Sequence, residues 1–314
     1  MTSVHPFLEE PGPVPIAHRG GSAMWPQNTM AAFNGAVGLG YCYLETDVQA
    51  TSDGVLAVFH DDELAPTSDS VGCISEMTWS DVSEARVGGE PIPRLEELLD
   101  AFDDVRISID PKTDAAVEPL IEALRRPGVL DRVCIGSFSD ERLKRVDDAF
   151  GDAACLSFSP REIARLRVMS LARLPERLLR ASRPRNRNRQ LRSGARRSRP
   201  NRGPAAHIRQ DRDLAPRGRP FRGRIASIPL RQGPIPLATP RLVDYAHRTG
   251  SAVYVWTIDD PVEMDRLLDI GVDGVMTDEP TVLLDVLAER GQWPGPSDRT
   301  VTRPEPPTGS PTGA

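Results

Sequence analysis

The fold of this chain is decided by two nearby stretches. Residues 18–29 read HRGGSAMWPQNT, and residues 44–61 read LETDVQATSDGVLAVFHD. The first begins at the end of a short apolar run and the second begins within another, and each run predicts a β-strand. Glu45 and Asp47 lie two residues apart, so a strand directs both carboxylates to one face. Like charges aimed the same way repel unless a cation lies between them, so this pair predicts a metal site.

The same alternation of an apolar run and a helical segment continues along the chain. Strands are predicted at residues 14–18, 43–48, 105–110, 133–137, 153–158, 225–230, 252–257 and 274–277, with helices between them. Residues 52–94 begin with a hairpin arm that delivers His60, then lose clear periodicity, and are interpreted as a small insertion after strand 2. Eight strand–helix units predict an α/β fold, a TIM (β/α)8 barrel.

Active sites of such barrels lie at the C-terminal ends of the strands. Several polar or aromatic side chains fall at or near those predicted ends: His18, Arg19, Glu45, Asp47, Asp110, Lys112, Ser137, Trp256 and Asp278. Their coincidence predicts one site that handles a polyanion. Individual residues keep plainer interpretations: Asp110 as a structural acid paired with Lys112, Trp256 as barrel packing, and Asp278 as the cap of the last helix.

Composition excludes several classes of protein. The chain has 314 residues and a net charge of −6, and its four cysteines are scattered without ligand spacing. A disulfide framework is therefore not expected, and a reducing compartment fits better. The first residues show no signal peptide, and no run of 18 apolar residues predicts a membrane span. We expect a cytoplasmic protein whose domain covers residues 14–291, with an N-terminal arm (1–13) and a disordered tail (292–314).

One segment does not follow the barrel pattern. Between Arg161 and Arg224 there are 21 arginines and four acids, and residues 184–223 have almost no aliphatic periodicity. This segment is an irregular insertion loop, a basic arm for RNA or anionic lipid, or a stretch translated out of frame. Nucleic acid is the least favoured partner, because a single-strand binder would interleave aromatic side chains among the basic ones.

The chain resembles the glycerophosphodiester phosphodiesterase family. The matching pieces are HRG (18–20), P-x-N-T (26–29), ExDV (45–48), T-x-D-G (51–54), FHD (59–61), IDPK (109–112), SF (137–138), VWTI (255–258) and GVDGVMTDEP (271–280). The resemblance implies a TIM barrel, a divalent cation (Mg²⁺ or Ca²⁺), and hydrolysis of glycerophosphodiesters to an alcohol and glycerol 3-phosphate. Two departures are Gln27, where the family usually has glutamate, and Asp110, where it more often has a longer glutamate ligand.

Carried over residue by residue, the resemblance implies a complete site. Its metal ligands are Glu45, Asp47 and Asp110, and its catalytic histidines are His18 and His60. Arg19 and Lys112 match positions near the phosphate, and Trp256 is expected to contact substrate.

These roles agree with the chemistry, because hydrolysis of a phosphodiester needs charge neutralisation, a base and an acid. The sequence does not assign which histidine is the acid. Two alternatives stay open: a lysophospholipase D or sphingomyelinase D-like phosphodiesterase, and a non-catalytic polyanion-binding protein.

Overall fold

A computed structural model describes residues 4–10, 12–171 and 220–293. Eight parallel strands form a barrel in these ranges: β1 (Val14–His18), β2 (Tyr43–Ala50), β6 (Arg106–Pro111), β7 (Val133–Ile135), β8 (Cys155–Leu156), β9 (Ile225–Pro229), β12 (Ala252–Trp256) and β13 (Gly274–Thr277). Neighbours pair in the order β8–β7–β6–β2–β1–β13–β12–β9. A bridge between Ser157 and Ile225 joins the first strand of that order to the last. The TIM-barrel prediction is therefore confirmed.

Helices connect the strands and cover the outside of the barrel. They are α1 (Met30–Gly38), α2 (Trp79–Val82), α3 (Leu95–Ala101), α4 (Val117–Leu124), α5 (Val129–Arg132), α6 (Asp140–Phe150), α7 (Pro160–Leu171), α8 (Pro240–Arg248), α9 (Pro261–Asp269) and α10 (Pro280–Glu289). The first of them begins at Met30, because Thr29 accepts a hydrogen bond from the Ala32 backbone and so caps the helix N-terminus.

The predicted insertion forms a small layer with its own core. β3 (Leu56–Val58) pairs antiparallel with β2, and the chain continues through a 3₁₀ helix (Ile74–Glu76), α2 and a hairpin of β4 (Arg86–Val87) and β5 (Glu90–Pro91). The buried apolar side chains of this layer are Ala57, Phe59, Leu64, Ile74, Val82, Ala85, Val87 and Ile92. The layer follows β2, so it covers the carboxyl end of the barrel beside that strand.

The amino end of the barrel is closed by the N-terminal segment. A 3₁₀ helix (Pro6–Leu8) buries Phe7, which is 1% exposed, against the edge of the Tyr43 ring at a centroid distance of 5.4 Å. The Tyr43 hydroxyl donates to the Phe7 carbonyl at 2.8 Å. Because Tyr43 begins β2, this contact lies at the opposite end from the strand termini that carry the candidate site.

Parts of three predictions lie outside the described residues. These are most of the arginine-rich segment, the end of the helix predicted after the strand at residues 153–158, and nearly all of the C-terminal tail. The last part of the arginine-rich segment is described, and there Phe221 packs against Phe158 at a ring distance of 4.6 Å. A second short hairpin, β10 (Arg231–Gln232) with β11 (Ile235–Pro236), follows β9. No helix in the described ranges is long and apolar enough to cross a membrane.

Candidate active site

The turn after β1 places the first two site residues. Arg19 adopts a left-handed backbone conformation (φ 52°), and Gly20 and Gly21 continue it with φ of 84° and 97°. A side chain on Gly20 would place its Cβ 2.6 Å from that of Ala32, so the turn is pressed against α1. Left-handed conformations are rare for arginine and cost free energy, which is typical of residues held for function.

Three carboxylates lie at the carboxyl ends of adjacent strands, as predicted. Glu45 and Asp47 are buried on β2, at 8% and 1% exposure, and Asp110 on β6 is the direct neighbour of Asp47 in the sheet. The Lys112 ammonium lies between two of them, 2.7 Å from Asp47 and 2.8 Å from Asp110. These two acids therefore converge on a cation, and in this structure that cation is a lysine.

Asp47 is the most strongly held of the three acids. Besides Lys112, its carboxylate receives the Nδ2 of Asn28 at 3.1 Å and has the Nε of Arg19 at 3.1 Å. Burial by itself would raise the pKa of Asp47, but the charges of Lys112 and Arg19 outweigh it and lower that pKa. Asp47 is therefore ionised and anchors both cations at the site.

The negative charge of Glu45 is offset by fewer and more distant positive groups than that of Asp47. The Arg19 backbone N–H donates to it at 3.3 Å. Among the basic side chains of the described residues, only His18 places a nitrogen within 4.0 Å, Nε2 at 3.7 Å, and that ring is charged only when protonated. Burial first, and the charge of Asp47 second, raise the pKa of Glu45 to about 7. A buried carboxylate with this environment is stabilised by an added cation.

The chemistry of these carboxylate side chains suits a divalent cation. Carboxylate oxygens are the ligands that Mg²⁺ and Ca²⁺ prefer, and Glu45 lacks the charge partner that Asp47 has. Within the part of the chain that the structure describes, however, no set of three histidine, cysteine or acidic side chains is arranged as a ready metal cage. Lys112 takes one oxygen each from Asp47 and Asp110.

Both histidines are held through the same ring nitrogen. His18 Nδ1 donates to Asp278 at 2.8 Å, and His60 Nδ1 donates to Asp61 at 2.7 Å. An ionised carboxylate can only accept, so each bond leaves Nε2 as the nitrogen that exchanges a proton. Burial by itself would lower the pKa of His18, but Glu45 and Asp278 outweigh it and raise that pKa.

The carboxylates behind the histidines come from different parts of the fold. Asp278 follows β13, 260 residues from His18, whereas Asp61 is next to His60 and is itself fixed by the Thr67 hydroxyl of the insertion at 2.6 Å. The interpretation of Asp278 as a helix cap is wrong: α10 has Glu279 at its cap position and no side-chain cap bond. Its carboxylate lies on His18 instead.

Sequence reasoning also missed Asn28 and Thr67. Asn28 stands in the P-x-N-T motif with a left-handed backbone (φ 58°), and its amide bonds to both Asp47 and Thr46. An asparagine two residues after a proline and just before a predicted helix was a usable signal for it. Thr67 had no such signal, because the insertion shows no periodicity that could place it.

Trp256 ends β12, as predicted, and its ring lies edge-on to Phe138 at a centroid distance of 5.7 Å. Phe138 follows β7 and is 70% exposed. Since strands β7 and β12 are separated by β8 and β9, the two rings meet across the carboxyl end of the barrel. This aromatic pair lines the side of the mouth, the open carboxyl end of the barrel, that lies away from the insertion.

Comparison with known proteins gives a consistent family. The model of the glycerophosphoryl diester phosphodiesterase family matches residues 18–282. The probable glycerophosphodiester phosphodiesterase 2 of Mycobacterium tuberculosis is 35% identical, over 92% of this chain and 96% of that protein.

Two solved structures share the fold. A glycerophosphoryl diester phosphodiesterase from Silicibacter pomeroyi has a TM-score of 0.66 at 22% identity, covering 93% of this chain and all of that one. A phosphodiesterase from Oleispira antarctica, solved in complex with the product sn-glycerol-3-phosphate, has a TM-score of 0.61 at 19% identity, covering 88% of this chain and 97% of that one.

Proposed function

This chain belongs to the glycerophosphoryl diester phosphodiesterase family, and from that premise we propose that it hydrolyses glycerophosphodiesters to an alcohol and glycerol 3-phosphate with a divalent cation and two histidines. The enzyme class follows from the family and from the curated relative that matches most of the chain. The metal dependence and the residue roles are the proposal, and one observation carries them. Two imidazoles, each held by a carboxylate at Nδ1, lie beside the strand that carries the buried acids: His18 Nε2 is 3.7 Å from Glu45, and the residue before His60 donates its backbone N–H to the Asp47 carbonyl at 3.1 Å.

The phosphate would be bound by the cations of this cluster. Arg19 and Lys112 are already anchored to Asp47, so their side chains are positioned before substrate arrives. Arginine's planar guanidinium matches pairs of phosphate oxygens, and lysine adds a compact charge. Glu45, Asp47 and Asp110 would hold Mg²⁺ or Ca²⁺, which when bound would neutralise part of the phosphate charge. Trp256 would contact the part of the substrate on its side of the mouth.

The two histidines then handle the protons. A water oxygen attacks phosphorus while one imidazole takes a proton from that water through Nε2. The bond from phosphorus to the leaving alcohol oxygen breaks, and the other imidazolium gives its Nε2 proton to that oxygen. Each ring ends in the opposite protonation state, and exchange with solvent restores both. Asp278 favours the cationic form of the His18 ring, and Asp278 and Asp61 each fix the ring nitrogen that reacts.

The test is product release from glycerophosphocholine and glycerophosphoethanolamine. We expect glycerol 3-phosphate in the presence of Mg²⁺ or Ca²⁺, and loss of its release with EDTA. His18→Ala and His60→Ala should each lower kcat by about 10²- to 10⁴-fold, the range for one general acid or base. Circular dichroism and thermal melting of each variant would exclude unfolding. Near-normal turnover in either histidine variant, or full activity in EDTA, would contradict the proposed mechanism.

A further inference from the structure

Gln49 is a buried polar side chain that the proposed mechanism does not yet use. It is 2% exposed and lies on β2 two residues after Asp47, so the alternation of a strand turns it to the same face as Glu45 and Asp47. Its amide nitrogen Nε2 donates two hydrogen bonds, one to the His60 carbonyl at 3.2 Å and one to Asp62 Oδ1 at 3.0 Å. One strand face therefore carries two proposed metal ligands and a group that holds the main chain of a proposed catalytic histidine.

Gln49 supports the main chain at a point where strand pairing has ended. The ladder between β2 and β3 ends at Val58, and one more backbone bond follows, from the Phe59 N–H to the Asp47 carbonyl at 3.1 Å. The chain then bends at His60, and a side-chain amide instead of a strand partner donates to the His60 carbonyl. The backbone that carries the ring is therefore fixed by one side chain of β2.

The ring and the main chain of His60 are held by different residues. Asp61 contacts the ring at Nδ1, at 2.7 Å, and so fixes how the ring is rotated. Where the ring lies depends on the backbone that carries it, which Gln49 contacts. Position matters for the rate, because a shift of about 1 Å in a catalytic group can lower a rate by about 10²-fold.

We propose that Gln49 is a positioning residue for the hydrolysis, acting through the main chain of His60. The inference rests on the proposed phosphodiesterase function, in which the His60 ring exchanges a proton, and adds to it a residue that acts without touching substrate. An amide suits this task, since its two N–H groups meet two acceptors. A glutamate has the same shape but only accepts, so it would set its oxygens against the His60 carbonyl and the Asp62 carboxylate.

The test is a double-mutant cycle in the full chain, measured on glycerophosphocholine with Mg²⁺ or Ca²⁺. Gln49→Met keeps the length of the side chain but loses both donors, so kcat should fall by about 10-fold, with KM within about twofold of the wild type. Gln49→Glu should lower kcat further. In a His60→Ala background, Gln49→Met should change kcat by less than about twofold, because the group that it positions is gone. Equal fold losses in the two backgrounds would overturn the inference.

Two control variants separate this role from a structural one. Asp62→Ala removes one acceptor and leaves the bond to the His60 carbonyl, so kcat should stay close to the wild-type value. Thr51→Val removes a buried hydroxyl that bonds within the turn between β2 and β3, so it should lower the melting temperature without lowering kcat. A loss of kcat in either control as large as that in Gln49→Met would mean that Gln49 only anchors the fold, and would overturn the inference.

The ring of His60 reports the same role without turnover. The chain has five histidines, and His60→Ala and His18→Ala identify the Cε1–H resonances of these two in a ¹H–¹³C spectrum. Gln49→Met should shift or broaden the His60 resonance and leave that of His18 in place. If no glycerophosphodiester is hydrolysed, the proposed function fails while this spectrum still decides whether Gln49 holds His60. An unchanged His60 resonance would overturn the inference.

Discussion

Histidines at the two ends of the barrel make different use of the same ring. At the carboxyl end, His18 and His60 are each held at Nδ1 by a carboxylate, so Nε2 is the nitrogen available to react. At the amino end, His247 forms a hydrogen bond through Nε2 with the Asp273 carboxylate at 2.7 Å. His5 forms contacts through both ring nitrogens, with the Phe7 backbone N–H and the Ala153 carbonyl. At the amino end Nε2 is thus used for a structural contact, whereas at the carboxyl end the structural contact is made through Nδ1 and the proposed catalysis uses Nε2.

The buried groups at the two ends differ in the same way. The carboxyl end buries Glu45 and Asp47 and half-buries Lys112, and the cost of desolvating these charges has to be offset by their mutual attraction. The amino end buries Phe7 and Tyr43, which are removed from water without such a cost. We expect substitutions at the amino end to change stability without changing turnover, and substitutions at the carboxyl end to do the reverse.

The largest effect on stability should come from the closure of the amino end. Phe7→Ala removes a ring that is 1% exposed and packed on Tyr43, and truncating a buried phenylalanine costs about 3 to 5 kcal/mol of unfolding free energy. Urea unfolding would measure this cost, while kcat on glycerophosphocholine should stay within twofold. Val4→Ala, at a residue that is 48% exposed, is the matched control. A loss below about 1 kcal/mol would mean that the segment does not close the barrel.

The next effect concerns Asp278 and Asp61, the two carboxylates that hold His18 and His60. Asp278→Asn and Asp61→Asn keep the size of the side chain but remove its charge, so we expect each to lower kcat by about 10- to 100-fold with little change in KM. Steady-state kinetics would show this split, and Asp278→Glu should recover part of the rate. If Asp278→Asn instead lowered the melting temperature and left kcat unchanged, Asp278 would be a structural contact like Asp273.

Much of this contrast could be predicted from the sequence, and the missed part has a physical cause. Strand periodicity placed Glu45 and Asp47 on one face, and the apolar runs placed His18 and Asp110 at strand ends, because both signals are local. The contact between His18 and Asp278 is not local: it joins residues 260 positions apart and forms only when β1 pairs with β13. A helix-capping signal one residue before Glu279 therefore gave the wrong interpretation.

The role of Lys112 shows a second limit of sequence reasoning. The IDPK motif suggested either a phosphate contact or a salt bridge with Asp110, and the structure shows Lys112 on both Asp110 and Asp47. Which acid a lysine reaches depends on the register between β2 and β6, where Asp47 faces Asp110. That register is a tertiary property, so spacing within one strand could not determine it.

A smaller effect tests whether the insertion helps to hold His60. Thr67→Val removes the hydroxyl that donates to Asp61 at 2.6 Å, and the loss of one such hydrogen bond corresponds to about 1 kcal/mol. We expect kcat on glycerophosphocholine to fall several-fold. Ser68→Ala removes a hydroxyl from the neighbouring residue, whose bond goes to the Ser70 backbone, and should leave kcat unchanged. Equal rates in wild type and Thr67→Val would show that Asp61 needs no support from the insertion.

The smallest expected effect is that of His247, at the amino end of the barrel. The hydrogen bond from His247 to Asp273, opposed by burial, raises the pKa of His247 above 6.5 in the folded chain. A raised folded pKa means that the contact stabilises fully at pH values below the unfolded pKa of about 6.5, and that this contribution is lost as pH rises through the folded value.

Wild type should therefore exceed His247→Gln in unfolding free energy at pH 5.5 and lose part of that advantage by pH 9. The ring is 35% exposed, so solvent screening keeps the difference to about 0.5 kcal/mol. Urea unfolding of both proteins at several pH values would measure it, with kcat at each pH as the control for the other end of the barrel. A difference that grows with pH would mean that the ring is bound in its neutral form, and the contrast between the two ends would then lie in position alone.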